Sequence, residues 1–110
     1  MNTEIPTREI VKGEAYVLTD ELLARKGIKL GRGHSLHAIS YACGFDDWNK
    51  LSAFCNQGIG IDAVIVAERH ANRLACYLVE KHGMQISVDE CAEILRTISH
   101  KLSDVLKESA

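Results

Sequence analysis

The stretch Ser87-Val88-Asp89-Glu90-Cys91-Ala92-Glu93-Ile94-Leu95-Arg96-Thr97-Ile98-Ser99-His100-Lys101-Leu102 decides the fold class. It opens with a capping box, in which the Ser87 hydroxyl and the Glu90 carboxylate each accept a free amide at a helix start. Behind the box, Cys91, Leu95, Ile98, Leu102 and Val105 step by four and three, which lines one face of a helix. Upstream, Gly83 is a helix stop. Val64, Ala67, Ala71, Leu74 and Leu78 step in the same way back to Asp62, a candidate N-cap. This pattern predicts two amphipathic helices of about twenty residues joined by a short turn, an antiparallel hairpin packed along a heptad-like seam.

Before the hairpin, Gln57-Gly58-Ile59-Gly60 forms a joint, too short for a flexible linker between domains. Residues 59–66 are the one segment that competes as a strand, and a lone strand makes no sheet. Ile10, Val11, Val17, Leu18, Leu22 and Leu23 recur near helical spacing between Pro6 and Gly27. Gly13 weakens that pattern, which predicts one bent helix or two short ones. Residues 28–33 read as a loop. Ser35 is the expected cap of a short helix ended by Gly44, and Asp46 or Asp47 opens the next. The expected fold is all-α with about five helices. It is one domain over residues 1–110, with a helical module at 7–57 and the hairpin at 61–108.

Composition agrees with that size. The chain has 110 residues, 46% hydrophobic and 25% charged, with 13 Lys+Arg against 15 Asp+Glu. No apolar run nears the ~20 residues a membrane span needs. Residues 1–12 carry charges where a signal peptide has its apolar stretch, so a cytoplasmic protein is expected. Cys43, Cys55, Cys76 and Cys91 include no C-x-x-C pair and sit among apolar neighbours. They read as reduced, buried, inert thiols.

Candidate chemistry is thin. His34 and His37 form an H-x-x-H pair, but no second ligand pair stands at a fixed spacing, so neither metal nor cofactor is expected. Gly31-Arg32-Gly33 lacks the Lys-Ser/Thr of a phosphate loop. Ser35, His37 and Asp47 make a triad only on paper, and no catalytic residue is assigned.

A helix, a glycine turn at Gly44 and a second helix span residues 35–55, an arrangement shared with helix-turn-helix DNA binders. Arg25, Lys26, Lys29, Arg32 and Lys50 are the cations that would meet phosphate in such a regulator. Asp46-Asp47, at the start of the would-be recognition helix, opposes that use.

Leu22-Leu23-Ala24-Arg25-Lys26-Gly27-Ile28, His34-Ser35-Leu36-His37-Ala38-Ile39 and Gly44-Phe45-Asp46-Asp47-Trp48-Asn49-Lys50-Leu51 carry a resemblance. Over about residues 16–55 the chain resembles a small helical module of bacterial proteins labelled glyoxalase-related because it occurs beside glyoxalase-like domains. The last segment matches its Gly-Phe-x-Asp-Trp-Asn-x-Leu pattern. Gly33-His34-Ser35 departs from its Ser-His-Ser. The resemblance implies a helical module and no lyase chemistry. Physically, Phe45 and Trp48 plug the corner between two helices.

The resulting expectation is a non-enzymatic bacterial module for protein–protein contact, an inhibitor or adaptor of a larger complex, with a homodimer as its expected assembly. Ile65, Tyr77, Ile94 and Leu106, set off from the main seams, are the candidate interface. DNA is the alternative partner; a membrane is not expected.

Overall fold

The computed structural model describes residues 7–55 and 70–109, with side chains described over 9–53 and 70–101. Among the described residues there are five helices and no strand: α1 (Thr7–Lys26), α2 (Arg32–Ala42), α3 (Trp48–Cys55), α4 (Ala71–His82) and α5 (Val88–Ser109). Helices α1, α2, α4 and α5 pack on one another, and α3 rests on α1 and α2. The joint at 57–60 and the competing strand at 59–66 lie outside the described residues.

The first helix runs unbroken through Gly13. A helical glycine costs about 1 kcal/mol, less than the ~1.5–3 kcal/mol recovered by each large apolar side chain buried on the same face. That face is Ile10, Val11, Ala15, Leu18 and Leu22, all buried. Gly27 then adopts φ 65°, and its amide donates to the Leu23 carbonyl at 3.0 Å while the Ile28 amide reaches Leu22. Gly83 repeats this at the end of α4, with φ 62° and amide bonds from Gly83 to Val79 and from Met84 to Leu78. Both stops need the left-handed backbone that glycine adopts without steric cost.

The start of α2 differs from expectation. Gly31 is its N-cap, and Ser35 sits inside the first turn with its amide bonded to the Gly31 carbonyl at 2.9 Å. The Ser35 hydroxyl is buried and pairs with the Thr19 hydroxyl of α1 at 2.7 Å. Tertiary contact with α1 has taken the oxygen that a cap would have used. Asp47 does cap α3, accepting the Lys50 amide at 2.9 Å.

In α4 the described helix runs over Ala71–His82, 12 residues, with His70 as its N-cap. The start expected at Asp62, with Val64 and Ala67, lies outside the described residues. Leu74 and Leu78 are fully buried, as their spacing requires. The five residues 83–87 lead into α5, whose capping box is formed as read: the Glu90 amide donates to Ser87 Oγ at 3.1 Å and the Ser87 amide to Glu90 Oε1 at 3.0 Å.

Ile94 is a correction. Expected at a dimer surface, it is fully buried, as are Cys91, Leu95 and Ile98. It stands three residues after Cys91 and four before Ile98, so all four share one broad stripe. Both α1 and α4 cover that stripe within the chain.

Candidate functional site

The most distinctive side-chain arrangement at the surface is a ladder of rings bridging α2 and α4. On α2, His34 and Tyr41 are seven residues apart and so share a face. On α4, Arg73 and Tyr77 are four apart, with His82 at the end of the helix. Where the helices meet, these positions interleave. The Arg73 guanidinium lies 4.6 Å above the Tyr41 ring centre, and its Nε donates to the Tyr41 carbonyl at 2.9 Å. The Tyr41 and Tyr77 rings are 5.5 Å apart, Tyr77 and His82 5.6 Å, and His82 and His34 5.0 Å with their planes at 77°. These spacings are those of attractive ring pairs and of a cation over a π face.

The ladder is neither core nor loose surface. Tyr41, Tyr77 and His82 are half-buried, while Arg73 and His34 are exposed. Burial pushes the Tyr77 phenol up. Burial, and then the neighbouring His34, hold the His82 imidazole below its usual range. Its Nε2 is buried with no hydrogen-bond partner among the described residues. Of the expected interface residues, Tyr77 belongs to this face, Ile94 is core, and Ile65 and the Leu106 side chain lie outside the described residues.

The H-x-x-H pair is split by the fold. His34 turns to His82, and His37 turns to the α2–α3 corner, where its Nδ1 accepts the Trp48 amide at 3.1 Å. Together His37 and Asp47 satisfy the first and third amides of α3. Phe45 and Trp48 are half-buried and pack on the core there, while Gly44 makes the turn at φ 102°. Ser35, His37 and Asp47 thus each bond to a different partner. No cluster of three or more metal-ligating side chains occurs among the described residues.

The cations proposed for DNA are largely committed elsewhere. Arg25 bonds Glu21 at 2.8 Å and Glu93 at 3.2 Å, and also reaches the Thr97 hydroxyl. The Arg25 guanidinium holds the Glu21 carboxyl below its ordinary range. Lys26 bonds Glu90 at 2.7 Å, and Lys50 bonds Asp46 at 2.9 Å. Arg32 stacks on the Tyr16 ring at 4.4 Å. Lys29 is exposed. Arg25, Glu93, Arg96, Thr97, His100 and Lys101 line an open cleft of about 470 Å³ between α1 and α5, in which Glu93 is the one acid among four basic side chains.

The thiols divide. Cys91 is buried as expected, which pushes its thiol up to about 11. Cys43 is half-buried, whereas Cys76 is exposed on α4, against the reading that all are buried. The Cys55 side chain lies outside the described residues.

The described residues define a small all-α protein whose surface bears one preorganised aromatic face. Comparison with protein-family models, with curated proteins and with solved structures returns no match.

The ladder's half-patterns, at seven residues in α2 and four in α4, stand in the sequence. Nothing local says that α2 lies against α4.

Proposed function

We propose that this chain is a non-enzymatic interaction module, an adaptor or inhibitor, that docks a protein partner through the Tyr41–Arg73–Tyr77 face, with a second copy of itself as that partner. The carrying observation is the stacked Arg73–Tyr41–Tyr77 triplet. Tyrosine and arginine are the residues most enriched at binding hot spots. Here they are already held by neighbours, which reduces the ordering cost of binding. A two-fold dimer would set the face against its own copy. The free thiols Cys43, Cys76 and Cys91 suit a reducing compartment, and on that ground we place the protein in the cytoplasm. The DNA reading has less support, because Arg25, Lys26 and Lys50 would have to leave carboxylates before meeting phosphate.

Light scattering at high micromolar concentration tests the proposal. A dimer is expected, converting to monomer in Arg73→Glu with its helical content unchanged. A monomeric wild type, or a dimer indifferent to Arg73→Glu, overturns it. Duplex DNA binding that weakens steeply with salt would favour the alternative.

A further inference from the structure

We propose that His34 and His82 form a two-histidine site for a borderline divalent transition metal such as zinc, clipping the N-terminal turn of α2 to the C-terminal end of α4. Two imidazoles on one zinc, each at Zn–N of about 2.0–2.1 Å and set at a tetrahedral angle, place their ring centres about 5 Å apart. The observed centres are 5.0 Å apart; the planes meet at 77° in a T-shaped contact, so the exposed His34 ring must turn before both rings face one ion.

The chemistry of each ring suits the role. Metals bind the neutral imidazole, the ordinary form of histidine above its pKa near 6.5. Its Nε2 is buried without a hydrogen-bond partner, so a ligand bond would satisfy an atom that otherwise has none among the described residues. The Tyr77 ring, 5.6 Å away, packs against the His82 ring and limits its movement. His34 is exposed and makes no hydrogen bond among the described residues, so a turn about its ring bond presents either nitrogen. Solvent access at His34 leaves the remaining positions to water. Imidazole with water selects zinc, nickel or copper over magnesium or calcium, which prefer oxygen ligands. The site adjoins the docking triplet through Tyr77, whereas Tyr41 and Arg73 take no part in it.

Calorimetric titration of the whole chain with zinc chloride alone tests the site. One zinc per chain is expected, with affinity reduced at least about tenfold in His34→Ala. His34 is exposed, so that variant keeps the fold, and circular dichroism verifies it. His37→Ala and Cys76→Ser should bind as the wild type does. No binding at millimolar zinc, binding unchanged in His34→Ala, or binding lost in Cys76→Ser would each overturn the proposal.

Discussion

Lys26 and Glu90 tie the last turn of α1 to the first turn of α5, with Nζ 2.7 Å from Oε2. The other oxygen of the same carboxylate, Oε1, accepts the Ser87 amide. One glutamate therefore closes a helix cap and a tertiary contact at once. The Lys26 ammonium and the Ser87 amide hold its carboxyl below the ordinary range.

Ser87→Ala should cost about 1 kcal/mol, the usual worth of an N-cap hydroxyl. Glu90→Gln keeps an acceptor for the cap and loses only the part-buried ion pair with Lys26, so it should cost less. The Glu90 contribution is present above its unfolded pKa, near 4.3, and is lost as pH falls through its lower folded value. Thermal melts from pH 7 to pH 3 check both; a Glu90→Gln loss larger than that of Ser87→Ala contradicts the assignment.

Ile94→Asp should fail to fold rather than yield folded monomers, because an unpaired charge buried at this position costs several kcal/mol. The milder Ile94→Ala should cost about 2–5 kcal/mol. Urea unfolding followed by circular dichroism measures this. A near-neutral Ile94→Ala would return the residue to the surface.

The α2–α3 corner should be sensitive to its caps. His37→Ala and Asp47→Ala each remove an acceptor from the α3 start and should each cost about 1 kcal/mol. Trp48, half-buried, should cost ~2 kcal/mol on truncation, below the ~3–5 of full burial. It is the single tryptophan of the chain, so its fluorescence reports on the corner directly. An emission spectrum identical in His37→Ala and wild type would show that the cap does not hold the corner.

His82 predicts the acid limb of stability. Its folded pKa is depressed, so its stability contribution is complete above the unfolded value of about 6.5. As pH falls below that value, the unfolded chain takes up a proton that the folded one resists, and stability is lost until the folded pKa is passed. Denaturant midpoints measured with a chelator present should fall between pH 7 and pH 5. His82→Gln should flatten that slope; an unchanged slope would assign it to other groups.

The sequence by itself determined what depends on neighbours along the chain. Ser87 and Glu90 cap α5, Gly27 and Gly83 end α1 and α4, and Asp47 opens α3, because each acts within about one turn of its own backbone. The faces of Leu74, Leu78, Cys91, Leu95 and Ile98 follow from the 3.6-residue period alone. Only the tertiary structure decided which helix each face meets. Ser35 is a buried partner of Thr19 rather than a cap because α1 passes beside it. Ile94 is core because α1 and α4 together cover a stripe wider than one helix can. Lys26 and Arg25 at the end of α1 are paired with Glu90 and Glu93, more than sixty positions away. The ladder from His34 to Arg73 exists because α2 and α4 cross. Spacing within a helix is set by backbone geometry, whereas pairing between helices is set by how all the faces are buried together, and no local window contains that information.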